Sequence, residues 1–245
     1  MNEIKLHKNY IFCFFSRNRE ISKHKFSSLN CAYNKGESNS IIKKNRNFAS
    51  FYLNKKKIIL ANQVHSNIVS YVGRNFCKYK YSDAMITSRK DILLGILTAD
   101  CAPIIVLGKK QFGIIHAGWK GLINGIIENT ITKFHLLGEK VNDLKVFVGP
   151  HLCMDSFEVK NDFVENIKKK IKNYENFIEN KRQKKFFNFS GLIKSKLIDL
   201  KITDYVISKE NTFSNPKKFF SHRYCYINKI KNCGRQISLV GIKNS

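Results

Sequence analysis

Apolar residues concentrate in the middle of the chain. Ile92 to Thr98, Pro103 to Leu107 and Phe112 to His116 are short β-branched runs separated by turn signals such as Gly108-Lys109-Lys110, a pattern that predicts adjacent buried strands. Beyond His116, Leu122, Ile126, Ile127 and Ile131 fall at helical spacing and predict one helix over 118–137; Val146 to Val148 then returns as a strand. Upstream, Ser40 is placed to cap a helix in which Ile42, Arg46, Ala49 and Leu53 recur along one face, so Arg46 lies on the apolar stripe. Phe163, Ile167 and Ile171 against Lys168, Lys169, Lys170 and Lys172 predict an amphipathic helix from about Asp162 to Tyr174. Mixed strand and helix blocks without repeats or Pro/Gly linkers predict an α+β fold and a single domain, 1–245.

Composition adds a formal net charge of +26 on 245 residues. Clustered cations favour polyanions through counterion release, and Lys runs at 55–57, 168–172 and 181–185 keep a nucleic-acid-binding module open as an alternative. Lys outnumbers Arg 36 to 8, however, beside 26 Asn, 30 Ile and 3 Pro. That set reflects an AT-rich codon bias, and base readers rely on the guanidinium fork; nucleic acid is therefore not the expected partner. Seven cysteines form neither a C-x-x-C pair nor a disulfide framework, which fits reduced thiols and a cytoplasmic location. The apolar runs are too short to span a bilayer, and no membrane association is expected.

Chemistry concentrates at the strand ends. Cys101 follows Leu97-Thr98-Ala99-Asp100, and His116 ends the next strand 15 residues later; paired strands would bring the two together. With His65 they would form a His₂Cys set suited to Zn²⁺, three protein ligands leaving a fourth position open as in catalytic sites. A buried free thiol is the plain alternative for Cys101. A third reading makes Cys101 a hydrolase nucleophile, with His116 as base oriented by Asp100 or His65. The turn His116-Ala117-Gly118-Trp119-Lys120-Gly121 leads into a helix, so its amides could hold an anion, although Gly118 and Gly121 equally suit tight packing and Trp119 suits a core. Arg46 on its apolar stripe needs an anionic partner or a polar cleft. Arg223, after Phe219-Phe220-Ser221-His222, could stack on a base or simply end an exposed strand.

The strings Gln63-Val64-His65-Ser66, Asp83-Ala84-Met85-Ile86-Thr87, Leu97-Thr98-Ala99-Asp100-Cys101 and His116-Ala117-Gly118-Trp119 occur in this order. Together with Ser28-Leu29-Asn30, Asn45-Arg46, Gly149-Pro150, Phe157-Glu158-Val159, Phe219-Phe220-Ser221 and Gly234-Arg235-Gln236 they resemble the YfiH-type laccase-domain family, regarded as purine nucleoside phosphorylases and once named polyphenol oxidases. The resemblance implies packed β-sheets flanked by helices and zinc on His65, Cys101 and His116, Cys101 thus belonging to the catalytic centre. It also implies a catalytic role for Arg46. The implied reactions are phosphorolysis of adenosine, inosine, guanosine and S-methyl-5′-thioadenosine, and deamination of adenosine. Arg46, Gly118 and Arg223 are the substrate-binding candidates, Arg46 and the amides near Gly118 for phosphate. Copper is the alternative metal, but the seven histidines contain no H-x-H pair for a trinuclear cluster. The chain departs from the family pattern at Phe15-Ser16-Arg17-Asn18-Arg19, which lacks a paired Gly, and at His151, Asn211 and His222-Arg223-Tyr224-Cys225, positions that bear on substrate range.

Overall fold

A computed structural model describes residues 3–17, 28–53, 56–75 and 81–243; Asn18, Arg19, Lys55 and Cys77 lie outside them. Two large sheets form the centre. One has the order Lys5–His7, Tyr10–Phe14, Gln236–Ile242, Ile92–Thr98, Lys57–Leu60; the other runs Asp204–Ile207, Lys145–Val148, Ala102–Leu107, Phe112–Ala117, Ala84–Thr87, Val69–Tyr71. A three-stranded sheet of Glu158–Val159, Lys184–Phe187 and Ile178–Lys181 lies alongside. With six helices among the described residues, this is the expected α+β architecture of packed sheets and flanking helices.

The apolar runs are strands with both faces buried. Along Ala102–Leu107, Ile105 and Leu107 join Phe12, Leu94, Phe112 and Val240 between the sheets, whereas Ile104 and Val106 pack outward with Ile127, Phe134 and Leu197 beneath the helices Ile126–Leu136 and Phe189–Asp199. In the other sheet, Leu93 and Leu239 face Ala49 of the Asn39–Tyr52 helix and Leu53 at its C-terminal cap. Successive side chains point to opposite faces, so a strand covered on both must be apolar throughout.

Four expectations change. Ile92–Thr98 is not the neighbour of Phe112–Ala117: the two lie in different sheets, and Ala102–Leu107 pairs with Phe112–Ala117 instead, placing Pro103 opposite His116. The helix predicted over 118–137 divides into Trp119–Ile123 and Ile126–Leu136, because Gly125 adopts a left-handed φ of 89°. The helix predicted to Tyr174 ends at Lys168, and the cap of Asn39–Tyr52 is Ser38, whose Oγ accepts from Ile41 N, rather than Ser40.

Candidate metal centre and its cavity

Cys101 sits where the chain crosses from one large sheet to the other. Strand Ile92–Thr98 ends, Ala99-Asp100-Cys101 make the crossing, and Ala102–Leu107 begins. Asp100 takes a φ of 90° there, a conformation costly for a residue with a Cβ. Its carboxylate is tied down by Thr212 Oγ1–H at 2.7 Å and Arg223 N–H at 2.6 Å, and its carbonyl accepts from Leu152 N–H at 2.9 Å. Asp100 therefore shapes the crossing and is not the residue that orients His116.

That role belongs to Asp83, at the start of the Ala84–Thr87 strand. His116 Nδ1–H donates to Asp83 Oδ1 at 2.8 Å, which leaves Nε2 for the cavity. The same carboxylate accepts from His65 N–H at 3.0 Å, Val64 N–H at 3.2 Å, and Ser66 N–H and Oγ–H at 2.7 and 2.6 Å. These bonds hold the loop in which His65 takes a left-handed φ of 60°. Burial pushes the Asp83 carboxyl up, but the bonds from His116 and Ser66 outweigh it and hold the group well below the usual carboxylate range.

The donor atoms of His65, Cys101 and His116 all lie within 4.8 Å of one another, with Cys101 Sγ 3.7 Å from His65 Nε2. Bonds of about 2.3 Å to sulfur and about 2.1 Å to nitrogen at a tetrahedral angle require a separation of about 3.6 Å, so the donor set fits one small cation. Gly118 backs it: a Cβ there would lie 2.7 Å from His65 Cδ2 and 3.3 Å from Cys101 Sγ. The paired groups are also electrically matched. Burial opposes ionisation of both, yet the charge of His116 draws the Cys101 thiol down to about 6, and the thiolate with Asp83 pushes His116 up to about 9.

The three donors line a cavity of about 550 Å³, within the usual range for small-molecule sites. Trp119, Phe157 and Phe189 provide aromatic walls; Arg223 and Arg235 supply positive charge; Gln63, Thr98, Asp100 and His222 complete the polar lining. Thr98 Oγ1 is buried without a hydrogen-bond partner among the described residues. Arg223 does not end a strand: it lies in the first turn of helix His222–Ile227, with its guanidinium 5.7 Å from the Phe157 ring centre and donating to Glu158 O at 2.9 Å.

Arg46 stands apart from this lining. Its Nε–H donates to Cys31 O at 2.8 Å and its guanidinium lies 4.3 Å over Tyr33, so its described partners are a carbonyl and a ring. Among the altered positions, His222 lines the cavity. His151 is buried behind Phe189, its Nε2 2.7 Å from Ser190 Oγ, and Asn211 bonds Ser156 Oγ and Phe213 N–H. Asp83 and Arg235 both stand in the recognised strings but were singled out for no role, and their chain distances from the other site residues hide it.

The chain matches the family model described as "Multi-copper polyphenol oxidoreductase laccase" over residues 11–243. It is 29% identical over 245 residues to a protein of Rickettsia prowazekii (strain Madrid E) named purine nucleoside phosphorylase, covering 98% of this chain and 100% of that one. It is 31% identical over 124 residues to a protein named adenosine deaminase RL5 from an unknown prokaryotic organism, covering 46% and 47% of the two. Among solved structures, the hypothetical protein YfiH of Bacillus licheniformis superposes with a TM-score of 0.84 at 22% identity, covering 96% of this chain and 93% of that chain.

Proposed function

The chain belongs to the multi-copper polyphenol oxidoreductase laccase family, and on that basis we propose that it is a zinc-dependent purine nucleoside phosphorylase with adenosine deaminase activity. Its substrates are adenosine, inosine, guanosine and S-methyl-5′-thioadenosine with phosphate, its setting is the cytoplasm, and its 245 residues act as one domain. The observation that carries this reading is the single cavity in which His65, Cys101 and His116 share a lining with aromatic walls and two guanidinium groups. Relatives named purine nucleoside phosphorylase and adenosine deaminase agree with it. Zinc suits one thiolate and two imidazoles, whereas among the described residues this is the only group of three or more potential ligands, too few for a multicopper cluster.

His65, Cys101 and His116 hold the metal, which when bound supplies Lewis acidity at this end of the cavity. Asp83 keeps the proton on His116 Nδ1, so that Nε2 is the nitrogen that would give up its proton and bind the metal. Trp119, Phe157 and Phe189 give the purine an apolar wall and exclude water, which lets phosphate compete as the nucleophile. The Thr98 hydroxyl is free to bond a ribose oxygen. Arg223 and Arg235 face the phosphate; the amides at Gly118 and, from outside the lining, Arg46 assist it. In phosphorolysis a phosphate oxygen bonds C1′ as the C1′–N9 bond breaks and the purine leaves with its electron pair.

Elemental analysis beside phosphate-dependent release of adenine or hypoxanthine, with inosine formation followed separately, tests the proposal. Wild type carries stoichiometric zinc and turns over nucleosides; Cys101→Ala loses both. A zinc-free protein that leaves every nucleoside untouched sinks the reading. Arg46→Ala raises the apparent KM for phosphate, and an unchanged KM removes Arg46 from phosphate binding. The lowered Cys101 thiol beside His116 favours a second reading, a Cys101/His116 hydrolase; its signature is a metal-free protein that is active and is inactivated by thiol alkylation.

A further inference from the structure

We propose that Cys225 and Cys233 form a reversible, peroxide-responsive dithiol site that clamps the arginine-bearing wall of the cavity. Helix His222–Ile227 ends in a reversal at Lys229, φ 54°, and Ile230 N–H returns to Cys225 O at 2.8 Å. The returning chain lays Cys233 back against the helix, where Cys225 packs on the cluster of Ala99, Phe220 and Cys233. Both residues also converge on one carbonyl: Ser221 O accepts Cys225 N–H at 3.0 Å and Cys233 Sγ–H at 3.3 Å. Neither cysteine is among the three proposed metal ligands.

Their exposures order the chemistry. Cys225 is partly exposed and Cys233 is buried, so a peroxide reaches Cys225 first. The Cys225 sulfur bonds one peroxide oxygen, the O–O bond breaks, and the departing hydroxide leaves as water with the thiol proton; Cys225 is then a sulfenic acid. Cys233 Sγ attacks that sulfur, the S–S bond forms, the S–O bond breaks, and the second hydroxide takes the Cys233 proton. In sum, two thiols are oxidised by two electrons to one disulfide, while the peroxide is reduced to two waters.

The bridge would act on the cavity wall because its ends are tied to both arginines. Arg223 lies two residues before Cys225, its N–H held by Asp100; the Arg235 guanidinium donates to Cys233 O at 2.8 Å and Gly234 O at 2.9 Å. Linking the cysteines closes the turn between these two anchors.

The test treats the folded full-length protein with hydrogen peroxide, then maps thiols and tryptic peptides by mass spectrometry. Cleavage after Arg223, Lys229, Lys231 and Arg235 yields peptides 224–229 and 232–235, one cysteine in each. The expected result is that they appear joined, two hydrogens lighter than their sum, and separate again with dithiothreitol. Cys101→Ser retains the joined peptide, and Cys225→Ser and Cys233→Ser each lack it. Amide hydrogen exchange over 222–236 slows in the oxidised form. Overturning results are a Cys225 oxidised to sulfinic or sulfonic acid while Cys233 stays free, a bridge from either cysteine to Cys101, or a joined peptide with unchanged exchange. Peptide mapping needs no nucleoside turnover, so its outcome is independent of the proposed enzyme activity.

Discussion

A carboxylate with no solvent exposure needs its lone pairs answered, and Asp83 meets that need with five bonds from Val64, His65, Ser66 and His116. One side chain thereby sets the loop carrying one proposed ligand and the ring orientation of another. Asp83→Asn is expected to weaken metal binding about 10- to 100-fold, read by competition with a chromophoric chelator; unchanged affinity would remove Asp83 from this role. Gly118 works by what it lacks. Gly118→Ala places a methyl against His65 and Cys101, so metal content and turnover fall while far-UV circular dichroism stays the same; full metal loading would show that the neighbours give way. The three donors were legible as residue types in recognisable strings. Asp83 stands in such a string as well, but its role was not legible, because its 18- and 33-residue separations from His65 and His116 carry no local periodicity.

Elements were most legible where burial is two-sided. The runs at 92–98, 103–107 and 112–116 had no other reading than strands, whereas amphipathic spacing overextended the helices. Apolar residues continue in phase through Gly125, but its left-handed φ breaks the helix. Beyond Ile167, the cluster Lys168, Lys169, Lys170 and Lys172 repels itself, and Asn173 turns left-handed at φ 54°. The turn between the paired strands has its own support: buried Glu139 accepts from Lys109, Lys110 and Gln111 N–H at 2.8, 2.6 and 2.7 Å. Glu139→Ala leaves these donors without their acceptor and is expected to cost about 1–3 kcal/mol, measured by denaturant unfolding; an unshifted midpoint would mean that water replaces the carboxylate in full. That hairpin carries His116, so the loss of stability bears directly on the site.

At the scale of the molecule, the +26 charge describes the surface more than the site, where Arg223 and Arg235 are the cations in the lining. In the proposed reaction its remaining effect is attraction of phosphate from solution. Raising ionic strength beyond ~0.1 M, where the screening length is about 10 Å, is expected to lower kcat/KM through KM with kcat unchanged; insensitivity to salt would confine phosphate recognition to contacts inside the cavity. No helix among the described residues is long and apolar enough to cross a membrane. The sequence by itself determined the α+β class, the central buried strands and the three donors of the candidate centre, because these depend on residue type and short-range pattern. Tertiary structure alone decided that 92–98 and 102–107 belong to different sheets, that Cys101 lies at the crossing between them, that Asp83 rather than Asp100 orients His116, and that Arg235 lines the cavity while Arg46 stands outside it. Each of these depends on which distant strands pair and which faces pack, and no spacing along the chain encodes that.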